Sequence, residues 1–91
     1  MPVVLHGVLR CADAAQAEIV RRHLPEHIRL SRAEAGCLQF DVTQDADPLV
    51  WTVSERFTTR AAFDAHQRRV KASAWGQATT GIMRSYEVTD I

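Results

Sequence analysis

Four short stretches of alternating apolar and polar residues, separated by two stretches with helical spacing, set the strongest constraint on what this chain can fold into. Val3 to Arg10 opens β-branched and apolar and reads as a strand. Asp13 with Gln16 three residues on has the form of a capping box, which predicts a helix running toward Ala35 with Gly36 as its stop. Val20, Leu24, Ile28 and Ser31 form its apolar stripe, flanked by Ile19, while Arg21, Arg22, Glu26 and Arg29 take other faces. Pro25 lies inside that stretch, and a mid-helix proline costs about 3 kcal/mol, so a kink or break is expected there. Cys37 to Thr43 and Leu49 to Phe57 alternate around the turn Gln44-Asp45-Ala46-Asp47-Pro48, as in a hairpin. Thr58 and Thr59 offer N-caps for a second helix through Ala62, Phe63, His66 and Val70, continuing, whole or broken, to Trp75, where Gly76 should end it. Gly81 introduces a last strand, Ile82 to Thr89.

The order β-α-β-β-α-β in 91 residues predicts one α+β domain spanning 1–91. Its arrangement is ferredoxin-like: a four-stranded antiparallel sheet with both helices on one face. Separating the strand faces sharpens this. Val3, Leu5 and Leu9, then Leu38, Phe40 and Val42, then Trp51, Val53 and Phe57, then Ile82, Tyr86 and Val88 should lie under the helices. Val4, His6 and Val8, Cys37 and Gln39, Val50, Thr52 and Ser54, and Met83 and Ser85 fall on the other face. That face is too apolar to stand open to water as one patch, so a homodimer packed through it is expected.

Charge and length narrow the function. Eleven basic and eleven acidic side chains cancel, which removes the usual electrostatic reason to expect nucleic acid or an anionic membrane as partner. No apolar run approaches the roughly 20 residues that span a bilayer. Met1-Pro2-Val3-Val4-Leu5-His6 lacks a basic region and reads as the start of a strand, not as a signal peptide. Cys11 and Cys37 are too few for a disulfide scaffold, so a reducing cytoplasm is the expected compartment.

Glu55 and Arg84 interrupt the apolar strand face, and His66 lies on the apolar side of its helix beside Phe63. A buried charge needs a partner or a solvated cavity. Glu55, Arg84, His66 and the Tyr86 phenol can therefore share an enclosure walled by Phe40, Phe57, Phe63 and Trp75. The residues alone leave two readings open: a small-molecule pocket, or a hydrogen bond between His66 and Glu55 that pins helix to sheet. His23-Leu24-Pro25-Glu26-His27 matches the H-x-x-E-H pattern of some zinc peptidases, but Pro25 interrupts the turn the motif needs and a third ligand is missing, so an exposed polar helix face is expected. Cys37 and Cys11 have no base or helix N-terminus beside them and read as small packing thiols. Arg68, Arg69 and Lys71 read as a solvated helix face, and no glycine-rich phosphate cradle supports a nucleotide cofactor.

Ser31-Arg32-Ala33-Glu34-Ala35-Gly36-Cys37-Leu38-Gln39-Phe40-Asp41-Val42 resembles the "sraEpGClxYxV" segment of the antibiotic biosynthesis monooxygenase family. Val53-Ser54-Glu55-Arg56-Phe57 followed by Ala61-Ala62-Phe63-Asp64-Ala65-His66 resembles its "vxExWxsxeaLxxH" segment, and Trp75 stands where a further aromatic often follows. The similarity runs from the first strand to Tyr86-Glu87-Val88. It implies a dimeric α+β barrel and oxygenation of quinols, anthrones or similar phenols without flavin, heme or metal. Glu55, His66 and Trp75 are the positions it points to. Phe57 replaces a more usual tryptophan and Phe40 a frequent tyrosine, removing one phenolic hydroxyl. Heme degradation is not expected, because relatives with that activity use an Asn that the first strand lacks, and the Trp and His stand in roughly exchanged helix positions.

The resulting expectation is a cofactor-independent monooxygenase acting on a small aromatic phenolic substrate with molecular oxygen. His66 would be the base and Glu55 its orienting partner. Arg84 would hold the oxyanion, in preference to Arg56 on the opposite face, and Tyr86 would position the substrate. Two alternatives use the same pocket: a dimeric module that binds an aromatic metabolite without altering it, and an oxygen-independent isomerase.

Overall fold

A computed structural model describes residues 1–91. The strands are β1 (Val3–Arg10), β2 (Cys37–Gln44), β3 (Val50–Phe57) and β4 (Met83–Asp90), and the helices are α1 (Ala14–Arg32), α2 (Arg60–Ala72) and α3 (Ala74–Ala78). They form one antiparallel sheet in the order β2-β3-β1-β4 with the helices on one face, the ferredoxin-like arrangement. Asp13 caps α1 by accepting the Gln16 backbone N–H at 3.0 Å, and Thr59 caps α2 through Ala62 at 3.1 Å.

The core lies between helices and sheet. Val3, Leu5 and Leu9 of β1, Phe40 and Val42 of β2, and Trp51, Val53 and Phe57 of β3 are buried against Ala17 and Val20 of α1, Phe63 of α2 and Trp75 of α3. Side chains of this size each stabilise the fold by roughly 1.5–3 kcal/mol on burial.

Five local features differ from the sequence expectation. Helix α1 runs unbroken through Pro25. Pro25 and Arg21 both lie on its exposed side, where water can satisfy the carbonyl left without a donor. The helix also ends at Arg32, short of Ala35. In β2 the pairing slips between Cys37 and Gln39: Cys37 faces Phe57 and Gln39 faces Arg56. This bulge turns Leu38 outward, 57% exposed, and brings Cys37 against the core, reversing the expected faces of both. Gly76 does not stop a helix but sits inside α3, where a Cβ would come within 2.0 Å of the Val70 carbonyl oxygen. The break falls at Ser73, whose hydroxyl accepts the Gly76 N–H and restarts the helix. Val88, although aligned with Leu5, is 40% exposed, because β4 is the edge strand and packs mainly on β1.

The sheet's other face carries no helix. Val4 and Val8 are half-buried there, His6, Thr52, Met83 and Ser85 are exposed, and Val50 is already covered within the chain. No helix of the chain is long and apolar enough to cross a membrane.

Candidate active site

His66 projects from the middle of α2 into the core and is 2% exposed. Its Nδ1 lies 2.8 Å from Oε1 of Glu34, in the turn between α1 and β2. That same oxygen accepts from Nε and Nη2 of Arg69 at 3.0 and 2.8 Å, and Nη2 also donates to the Ser31 hydroxyl at 2.9 Å. A carboxylate can only accept, so Nδ1 carries the ring's hydrogen. Burial lowers the pKa of His66 and outweighs the opposing pull of Glu34. The resting imidazole is therefore neutral, and its lone pair sits on Nε2.

Nε2 faces the second carboxyl. Oε1 of Glu55, from β3, is 3.6 Å away, beyond hydrogen-bond range. Glu55 is 6% exposed, and its Oε1 has no hydrogen-bond partner. Burial, reinforced by the negative charge of Glu34, pushes its pKa up to about 7. Of the two readings the sequence left open, the pinning bond is absent: His66 and Glu55 lie side by side, and the carboxylate bonded to His66 is that of Glu34.

Both groups border a cavity of about 140 Å³ between α1, α2, α3 and the sheet, open to solvent past Gln67 and Arg84. Phe40, Trp75, Arg84 and Tyr86 line it as anticipated, together with Leu5, Val42, Val53, Gln67, Val70 and His27. Phe57 and Phe63 do not: Phe57 packs behind the imidazole at 4.8 Å between centroids, and Phe63 packs on Phe57 at 5.7 Å. Tyr86 reaches the cavity across Gly7 of β1, where a Cβ would come within 2.7 Å of the tyrosine ring. Burial raises the Tyr86 phenol to about 12, so it remains a donor at neutral pH. Arg84 is anchored by a 2.8 Å bond from Nη2 to the Thr79 carbonyl.

His27 corrects the sequence reading of an exposed helix face. It is 5% exposed and stacks on Trp75, with centroids 4.4 Å apart and planes 3° from parallel. Its pKa is pushed down to about 3, chiefly by burial and then by His66, Arg69 and Arg84. It sits edge-on to Phe40 at 5.1 Å. No three His, Cys, Asp or Glu side chains gather as a metal-ligand set, so H-x-x-E-H does not assemble one.

Sequence reasoning missed Glu34, Arg69, Ser31 and His27. The spacing Val20–His27–Ser31 follows the buried stripe of α1, and Arg69 lies one turn beyond His66; those were the available signals. Glu34 belongs to the segment Ser31–Val42 that carried the family resemblance.

A buried neutral imidazole held by a carboxylate, beside a protonatable carboxyl and aromatic walls, can take a proton from a weakly acidic ligand and return it. The fold is shared with solved structures. Rv0793 of Mycobacterium tuberculosis superposes with a TM-score of 0.78 at 21% identity over 100% of this chain and 95% of that one. A candidate antibiotic biosynthesis monooxygenase from Deinococcus radiodurans gives 0.77 at 23% over 98% and 91%. PA3566 of Pseudomonas aeruginosa gives 0.73 at 26% over 97% and 89%. No curated protein sequence matches the chain. The sequence model of antibiotic biosynthesis monooxygenases matches residues 2–78, spanning Glu34, Glu55, His66 and Trp75. The chain belongs to the antibiotic biosynthesis monooxygenase family.

Proposed function

We propose that this protein is a monooxygenase that needs no flavin, heme or metal and oxidises a phenolic or quinol substrate with molecular oxygen. The observation that carries the reading is the His66 imidazole, bonded to Glu34 through Nδ1 at 2.8 Å and presenting Nε2 beside an aromatic-walled cavity.

Triplet oxygen reacts slowly with closed-shell molecules because spin must change, and a phenolate can supply the first electron. His66 Nε2 removes the phenolic proton, and Glu34 stabilises the imidazolium that results. Arg84 and the Tyr86 hydroxyl stabilise the phenolate oxygen. The phenolate passes one electron to oxygen, and the radical pair combines at a ring carbon as a hydroperoxide. The O–O bond then breaks. One oxygen stays as a carbonyl, the ring carbon loses its proton, and the distal oxygen leaves as water after protonation by Glu55 or His66. For a simple hydroquinone the balance is quinol plus O₂ to hydroxyquinone plus water. Phe40 and Trp75 hold the ring and keep water out.

The protomer is further proposed to pair with a second copy through the helix-free sheet face, where Val4, Val8 and Met83 lie. Sedimentation equilibrium tests this: a dimer is expected, and a monomer at micromolar concentration would contradict it.

Oxygen uptake by metal-stripped protein with a panel of quinols, beside His66→Ala, tests the activity. Uptake above the spontaneous rate, reduced at least about a hundredfold in the folded variant, is expected. The pairing of His66 with a carboxyl near neutrality at 3.6 Å also suits proton shuttling without oxygen. Turnover that persists under anaerobic conditions would replace the oxygenase with an isomerase. Binding without any turnover would leave a carrier of aromatic metabolites.

A further inference from the structure

The cavity beside His66 continues outward. Gln67, Val70 and Arg84 line it and also line a larger surface space of about 560 Å³, so these three residues form its mouth. Val70 is half-buried there, and Gln67 and Arg84 are exposed. Beyond the mouth stand Lys71, Gly76, Gln77 and Thr80, from the end of α2 through α3.

Charge is distributed unevenly along this path. The inner lining carries one carboxyl, Glu55, and its two imidazoles, His27 and His66, rest neutral because burial lowers both. Arg84, at the mouth, is its single cation. The outer space adds Lys71, and no Asp or Glu lines it. Neither Lys71 nor Arg84 has a carboxylate within ion-pair distance, whereas Arg21, Arg29, Arg32, Arg60 and Arg69 each do. The Nη2 bond to the Thr79 carbonyl fixes the Arg84 guanidinium and leaves its Nε and Nη1 to donate elsewhere. A place in the last turn of α2 accounts for Lys71 through the helix dipole alone, but not for Arg84, which comes from β4 to the same space.

A ligand that matches this polarity is neutral at the end beside His66 and anionic at the end that leaves the cavity. An anion driven inward would lose its hydration against aromatic walls and meet Glu55, so the charge also sets the direction of entry.

We propose that the outer space is an anion subsite, and that the substrate is a phenol or quinol carrying a carboxylate on a short chain, with its ring beside His66 and its carboxylate between Arg84 and Lys71. The inference rests on the reading that the phenol binds beside His66, and it narrows that reading from phenols in general to acidic ones. Lys71 is the specificity-determining residue, since Arg84 also serves the phenolate oxygen.

Anaerobic equilibrium binding of 3-(2,5-dihydroxyphenyl)propanoate and of its methyl ester tests this, read by tryptophan fluorescence at low ionic strength. The proteins are wild type, Lys71→Gln and Arg68→Gln. Both substitutions lie on α2 and remove one positive charge, but Arg68 lines neither space. Lys71 and Arg68 are both exposed, so neither change threatens the fold. Wild type should bind the acid at least about tenfold more tightly than the ester. Lys71→Gln should cut that preference at least about threefold, and Arg68→Gln should leave it unchanged. Equal affinity of wild type for acid and ester would overturn the subsite. So would an unchanged preference in Lys71→Gln, an equal change in Lys71→Gln and Arg68→Gln, or failure of both probes to bind. Acid that binds as ranked but drives no oxygen uptake in air would refute the oxygenase and leave the subsite intact. Oxygen uptake with acid and ester bound equally would do the reverse.

Discussion

Two carboxyl groups flank one imidazole, and the protein treats them in opposite ways. Glu34 stands in a turn at the rim, half-buried, with one oxygen accepting from His66 and twice from Arg69. Glu55 stands on the central strand β3, buried, with an oxygen that accepts from nothing. The rim carboxylate is satisfied by charge-assisted bonds and can hold a ring in place. The core carboxyl is cut off from water and stands near the charge of Glu34, which raises its affinity for a proton. One side of His66 is built for position and the other for exchange. Stability and reactivity are therefore expected to respond differently to changes on the two sides.

The largest difference should appear in stability against pH. Glu55 titrates near 4.5 in the unfolded chain and about 7 in the fold, so the folded state binds the extra proton between those values. That contribution is fully present below pH 4.5 and is lost as pH rises through about 7. Relative to Glu55→Gln, wild type should lose on the order of 3 kcal/mol between pH 4 and pH 8, read by urea unfolding at each pH. A constant difference across that range would show that Glu55 binds its proton equally in the folded and unfolded chain and would erase the contrast.

Acid tolerance should respond at least as strongly as the Glu55 side, because the shift at His27 is no smaller than that at Glu55. His27 near 3 and His66, also lowered, bind protons less readily folded than unfolded. Stability should fall as pH drops from 6.5 toward 3, and His27→Phe, which keeps the stack, should move the acid unfolding midpoint to lower pH.

Next in size is the close approach that brings Tyr86 over β1 to the Glu55 side. Gly7→Ala places a methyl within 2.7 Å of the tyrosine ring and nearer still to the Ser85 carbonyl. A loss on the order of 2 kcal/mol in thermal or urea unfolding is expected. Unchanged stability would mean that β4 shifts freely and that the cavity wall it supplies is not fixed.

On the Glu34 side the effect should be kinetic. Glu34→Gln removes the charge that raises the pKa of His66 while leaving an amide oxygen to accept from Nδ1, so that pKa should fall further. The catalytic efficiency, kcat/KM, of the proposed reaction should drop at least about tenfold, with the acid limb of the pH profile moving to lower pH. An unmoved profile would remove Glu34 as the positioning residue.

The sequence exposed these two sides unequally. Glu55 was visible because a charge at an inward position of an alternating strand breaks a period-two pattern, and His66 because it breaks a helical one. The expected helix ran on toward Ala35 and so took in Glu34, which instead stands in the turn after Arg32, where helix spacing no longer sets its direction. His27 follows the buried spacing of α1 but was hidden by its polar neighbours His23 and Glu26. The β2 bulge defeated parity at Cys37 and Leu38, since one extra residue exchanges the faces. Element order and strand positions followed from local pattern; the bonded partner of His66 depended on how a turn folds back onto α2, which no local pattern encodes.

The central claim is that His66 rests neutral with its hydrogen on Nδ1, toward Glu34, and its lone pair on Nε2, toward the cavity. Long-range ¹H–¹⁵N correlation spectra of the four histidines between pH 5 and pH 8, with His66→Gln to assign the signals, test it directly. A protonated Nδ1 and a bare Nε2 at pH 7 are expected, with imidazolium appearing only below the ordinary histidine range. A cationic His66 at pH 7, or a hydrogen on Nε2 with Nδ1 bare, would contradict the account.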